Sequence, residues 1–71
     1  MEVYFQNLRK EMKAKGETYE YLGKLLNIHS ESVRRKMAGI TDWTLGEVEI
    51  LCKHYETDDM WYLFKNKTKV A

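Results

Sequence analysis

Five times along the chain, apolar residues recur at helical spacing for two or three turns before a Gly, an Asn or a capping residue intervenes. Proline is absent and glycine appears four times. This pattern predicts short helices with short connections rather than a turn-rich β fold. Phe5, Leu8 and Met12 stand at i, i+3, i+7, which predicts a first helix over residues 2–15 with Gly16 at its C′ position. Thr18 fits the N-cap of a second helix, "YEYLGKLL", whose apolar stripe is Leu22, Leu25 and Leu26; Asn27 suits a left-handed ending. His29 or Ser30 caps a third helix carried by Val33 and Met37 and ended by Gly39. "TLGE" at 44–47 reads as a capping box, Thr44 at N-cap and Glu47 at N3. The helix behind it is expected to bury Leu45, Val48, Leu51, Cys52 and Tyr55. Thr57 or Asp58 starts a fifth helix, with Met60, Leu63 and Phe64 on its inner face and Asp58 and Asp59 at its positive end.

Seventy-one residues form one domain, placed at 1–64, and "KNKTKVA" at 65–71 has no periodicity, which predicts a frayed, disordered basic tail. The fold class expected is all-α, five short helices. Apolar residues at 44% and charged residues at 32% suit a folded soluble domain and exclude a disordered one. No apolar run reaches the roughly 20 residues of a bilayer span, and Met1–Leu8 lacks signal-peptide character. The one cysteine, Cys52, cannot close an internal disulfide, which points to an intracellular protein. The net charge of +1 conceals a division: residues 1–39 hold eight Lys/Arg against five acids, residues 40–64 one Lys against six acids, and the tail three Lys. A basic half and an acidic half make an asymmetric field.

The third helix carries the most specific chemistry. Counting about 100° per residue from Val33, Met37 shares its buried side. The outer face is then Glu31, Arg34, Arg35 and Ala38, with Ser32 at its edge and Ser30 at the N-terminus. A turn at Asn27–His29 joins it to the second helix, and two short helices so joined describe a helix-turn-helix unit over about 18–38. Arg can donate two parallel hydrogen bonds to guanine O6 and N7, Glu can accept from the cytosine amino group, and Ser can meet either kind of edge. The N-terminus of the second helix, at Thr18 and Tyr19, offers free N–H groups to a phosphate. Lys13, Lys15 and Lys24 add sequence-independent attraction. The bland alternative is a solvated face, since Glu31 pairs with Arg34 at i, i+3 and with Arg35 at i, i+4.

From Leu8 to Phe64 the chain resembles the Cro/phage-repressor helix-turn-helix family, also called the xenobiotic-response-element family. The resemblance rests on Leu8-Arg9, Gly16 before Thr18, "YLGKLLNI", "SVRRKMAG", "WTLGEVEIL" and a final aromatic/aliphatic helix, in that order and spacing. "SVRRKMAG…WTLGEVE" is similar to small regulators of bacteriophages in low-GC Gram-positive hosts. The resemblance implies a lambda-repressor-like fold and a cytoplasmic, phage- or prophage-encoded transcriptional regulator, dimeric on a double-stranded operator. It implies base contacts at His29, Ser30, Glu31, Ser32, Arg34 and Arg35, phosphate contacts at Thr18 and Tyr19, and a framework of Leu8, Leu22, Leu26, Ile28, Val33, Met37, Leu45, Val48 and Leu51. Two positions depart from the pattern. Met12 is apolar where many relatives are basic, and the loop "GITDW" carries Asp42 and no Lys or Arg. Both remove phosphate contacts. A member with these changes could instead bind a cognate phage repressor as an anti-repressor.

Core filling accounts for most of the aromatics Trp43, Trp61, Tyr55, Tyr62 and Phe64. Ile50 and Tyr62 fall off the buried stripes, and with Trp61 they outline an apolar surface for a second copy or a partner protein. Cys52 and His54, at i, i+2, point to different helix faces, so no metal site is expected. No nucleophile–base set has supporting context, so catalysis, cofactor and small-molecule ligand are not expected.

Overall fold

Side chains write several of the helix starts. Thr18 accepts from the Tyr21 N–H at 3.1 Å and opens α2, Tyr19–Leu26. Thr44 accepts from the Glu47 N–H at 3.2 Å while the Glu47 carboxylate takes the Thr44 N–H at 2.9 Å, a full capping box that opens α4, Leu45–His54. Each cap satisfies a helix-end donor that would otherwise have no partner. Asn27 closes α2 in the left-handed region (φ 60°, ψ 45°). After the short turn, α3 runs Ser30–Met37, with His29 at its N-cap making no side-chain bond.

The computed structural model describes residues 2–65 and 67–69. Besides these three helices it contains α1, Gln6–Ala14, α5, Met60–Phe64, and a two-stranded antiparallel ribbon of β1, Glu2–Tyr4, and β2, Lys67–Lys69. The five-helix, essentially all-α architecture agrees with the sequence; the ribbon does not. Residues 2–4 are strand rather than the first turn of α1, and Phe5 turns the chain in a left-handed conformation (φ 52°). Lys67–Lys69, expected to fray, pairs with β1 in the register Glu2↔Lys69, Val3↔Thr68, Tyr4↔Lys67. The rest of the tail expectation, at residues 66, 70 and 71, lies outside the described residues.

Leu8, Leu22, Val33, Met37, Leu51 and Leu63 are fully buried, and Phe5, Met12, Leu26, Cys52 and Tyr55 complete the core. Burial also raises the pKa of the Cys52 thiol, with Asp58 and Asp59 adding to the shift. Truncating any of the fully buried six to Ala should cost about 2–5 kcal/mol. Phe5, Trp43 and Phe64 meet edge to face, with centroids 5.6–6.4 Å apart. They join the chain start, the α3–α4 loop and α5. The Trp43 Nε1–H is buried with no partner among the described residues, and nothing in the structure explains it. Ile28 and Val48 are partly buried against the core.

Three expectations about the last two helices fail. Leu45 is 68% exposed, although it stands on the predicted inner stripe of α4. Met60 is 48% exposed, at the outer start of α5. That helix is capped not at Thr57 or Asp58 but at Asp59, whose carboxylate accepts from the Tyr62 N–H at 2.9 Å. Thr57 instead accepts from the Asp59 N–H, forming the turn before it.

Glu17, between α1 and α2, binds α4 through both oxygens. Tyr55 donates to Oε1 at 2.6 Å, and His54 Nε2 lies 2.6 Å from Oε2. Burial, and then the bond to Glu17, push the Tyr55 phenol far above its ordinary range. A free phenol ionises near pH 10, so on raising the pH the unfolded chain loses this proton first. The contribution is therefore complete below about pH 10 and falls as the pH rises beyond it. Urea midpoints taken across that window should drop more steeply for the wild type than for Tyr55→Phe. Parallel slopes would refute this.

Candidate nucleic-acid interface

The turn Asn27–His29 holds α2 and α3 closer than a side chain permits. A Cβ at Gly23 would sit 2.7 Å from the Ile28 carbonyl oxygen and 3.3 Å from the Ser30 nitrogen. The Ile28 N–H in turn donates to the Gly23 carbonyl at 2.8 Å. With Val33 and Met37 fully buried, α3 has one side fixed in the core.

Its other side carries the residues singled out in the sequence. His29, Ser30, Glu31, Arg34 and Arg35 are exposed and Ser32 is half-buried. Within this face the charges are paired. Arg34 donates to Glu31 through Nε at 2.9 Å and through Nη2 at 2.5 Å, and Arg35 Nε lies 3.5 Å from the same carboxylate. The Arg34 hydrogen bond leads the effects that hold the Glu31 carboxyl down at about 2. The carboxylate is therefore charged at any working pH. The outer face has a net charge of one positive unit.

Thr18 and Tyr19 stand at the start of α2. The N–H groups of Tyr19 and Glu20 have no partner among the described residues, as expected for a helix start. The Tyr19 phenol accepts from Arg9 Nη1 at 2.8 Å, which leaves its own proton to donate elsewhere. Lys13 and Lys24 are exposed, and an open groove of about 490 Å³ runs along Glu20, Gly23, Lys24, Asn27, His29 and Ser30. Lys15, by contrast, turns toward α4, where it donates to the His54 carbonyl at 3.4 Å.

Two basic residues are used inside the fold. Arg9 Nε donates to the Tyr4 carbonyl at 3.0 Å, and Nη2 donates to the Met37 carbonyl at 2.9 Å, alongside the Tyr19 contact. Lys36 reaches Glu47 at 2.9 Å and the Asp42 carbonyl at 2.8 Å, with its ammonium 5.8 Å from the Trp43 ring centroid. Burial raises the Glu47 pKa, but the Thr44 N–H and Lys36 outweigh it, so the carboxyl is lowered. Both roles were missed in the sequence. Arg9 gave one signal: it stands four residues after Phe5 and three before Met12, at the edge of a buried stripe.

The three residues expected at a protein surface have different surroundings. Trp61 is 77% exposed. Ile50 lines a depression with Leu25, Lys53 and His54. Tyr62 lies against α1, where its hydroxyl donates to Glu11 at 3.1 Å and its carbonyl accepts from Asn7 at 2.7 Å. Among the described residues no helix is long and apolar enough to cross a membrane, and no three potential metal ligands gather. No family model, no curated protein and no solved structure matches the chain.

Proposed function

We propose that the chain is a sequence-specific DNA-binding regulator, with α2, the Asn27–His29 turn and α3 forming a helix-turn-helix unit in a lambda-repressor-like fold. The observation that carries this reading is the α3 outer face: two exposed arginines with hydroxyl and carboxylate neighbours, on a helix fixed by Val33 and Met37 and flanked by the open N-terminus of α2. A helix so mounted can enter a major groove while its neighbour's N-terminus meets the phosphate backbone. His29, Ser30, Ser32, Arg34 and Arg35 then face base edges, with Glu31 on the same face. Thr18, Tyr19, Lys13 and Lys24 face phosphates. The sequence resemblance adds a phage or prophage origin, a cytoplasmic setting and a dimer on a palindromic operator, whose occupancy excludes RNA polymerase. The reading involves no catalysis and no cofactor.

Binding to a labelled duplex, followed by anisotropy from about 50 to 200 mM salt, tests it. Affinity should fall steeply with salt. The double variant Lys13→Ala/Lys24→Ala should weaken binding across all sequences and reduce the log–log salt slope by about two. Absence of binding at low salt would exclude the reading. A second reading rests on a separate observation, the exposure of Trp61, Met60 and Leu45 in the acidic half. It makes the chain a modulator that binds a cognate phage repressor, with Ile50, Trp61 and Tyr62 at the interface. Since Arg9 and Lys36 are spent within the fold, few cations remain for phosphate, which suits this alternative. Co-sedimentation with that repressor, in the absence of DNA affinity, would favour it.

A further inference from the structure

Glu31 is placed to do something other than read a base. A guanidinium has two usable edges. Its side edge is formed by Nε–H and the adjacent Nη2–H, and its end edge by the remaining Nη2–H and an Nη1–H. Glu31 occupies the side edge of Arg34 in a two-bond pair. The end edge has no partner among the described residues, and both side chains are more than half exposed.

We propose that Glu31 is a positioning residue that fixes the plane of Arg34 so that its end edge is offered to a guanine. This inference rests on the DNA-binding reading and deepens it by assigning the base. The end edge carries two parallel N–H groups, the pattern that guanine O6 and N7 accept in the major groove. An unsupported arginine surrenders its rotamer freedom when it docks, whereas Arg34 has lost much of it beforehand. The support under the pair is rigid, because Val33, between the two residues in sequence, is fully buried. The Glu31 carboxylate stays ionised across the working pH range, so the arrangement does not come and go with pH. Arg35 is held less closely, at 3.5 Å from the same oxygen, and is freer to turn to the backbone.

The direct alternative is that Glu31 accepts from a cytosine amino group. Each of its oxygens already takes a bond or ion contact from an arginine, so a cytosine amino group would have to share the carboxylate with Arg34.

Selection from a randomised duplex library, run in parallel for the wild type, Glu31→Ala, Glu31→Gln and Arg34→Ala, separates these cases. The wild type should enrich one guanine position per half-site, and Arg34→Ala should lose it. Glu31→Ala should hold bulk duplex at least as tightly as the wild type, since a negative charge has left the interface. Its preference for that guanine should nonetheless fall roughly tenfold. Glu31→Gln should show the same loss in weaker form. A merely structural role for Glu31 would not single out one base position. If Glu31→Ala keeps the guanine and loses a cytosine, Glu31 reads a base itself and the inference is overturned while DNA binding stands. An unchanged profile for Arg34→Ala overturns it as well. If the wild type enriches nothing and shows no salt-dependent binding, the DNA-binding reading fails, and this inference with it.

Discussion

Arg9→Ala is expected to lose about 3 kcal/mol of folding stability, far more than a surface arginine would. Its guanidinium ties three other segments to α1. They are the end of β1 through the Tyr4 carbonyl, the start of α2 through the Tyr19 hydroxyl, and the end of α3 through the Met37 carbonyl. The last of these accepts at a helix C-terminus, where carbonyls lack helical partners and positive charge is favoured. Removal leaves the acceptors to water or to nothing, and the alanine leaves a void. For a domain of this size a loss of about 3 kcal/mol lowers the melting temperature by roughly 12–24 °C. Small domains have little stability in reserve. Arg9→Lys should recover less than half of the loss, because one ammonium cannot reach three acceptors arranged around a planar fork. Urea unfolding of the three proteins measures this, and a loss below about 1 kcal/mol for Arg9→Ala would refute the clamp. The same variant should weaken any DNA binding indirectly, since the clamp fixes the end of α3 and the Tyr19 phenol at the start of α2.

The contrast between α2 and β1 shows which parts of this fold are local. The caps of α2 and α4 lie within three residues of their targets, Thr18 to Tyr21 and Thr44 to Glu47, and spacing alone reveals them. The outer face of α3 was legible for the same reason, since Val33 and Met37 fix its phase. β1 has no such signature. Glu2 pairs with Lys69, nearly the whole chain away, and three residues are too few for an alternation to register. Phe5 is in the core as its spacing implied, but as the left-handed residue before α1 rather than within it. Leu45 fits the stripe of α4, yet periodicity gives a phase and not whether a neighbour covers each turn; here Leu45 is 68% exposed. Arg9, Lys36 and Glu17 illustrate a further gap. Their side chains act across loops, so which polar residue is consumed by the fold, and which remains for a partner, depends on tertiary contacts. That distinction matters for function, because it leaves Lys13, Lys24, Arg34 and Arg35 as the cations available at the candidate interface.

Gly23→Val is expected to destabilise the protein by about 3 kcal/mol or more, and Gly23→Ala by about 1–2 kcal/mol. Propensity alone predicts the opposite for alanine, since Gly inside a helix is worse than Ala by about 1 kcal/mol. The geometry reverses the sign. The atoms nearest an added Cβ are Ile28 O at 2.7 Å, Ser30 N at 3.3 Å and the His29 carbonyl carbon at 3.4 Å. All three are backbone, so no side chain can rotate aside, and relief requires α3 to shift away from α2 as a unit. Valine places a second branch against the same turn. Gly46→Ala is the internal control, for Gly46 also lies in a helix but an added Cβ meets nothing within 4 Å. It should stabilise by about 0.5–1 kcal/mol. Denaturation of all three variants tests the contrast, and Gly23→Ala matching Gly46→Ala would show that the close approach does not govern the packing. Because the shift tilts α3, amide resonances of Ser30–Met37 should move in folded Gly23→Ala. Its affinity for DNA should fall even where the variant is fully folded, whereas Gly46→Ala should leave both unchanged.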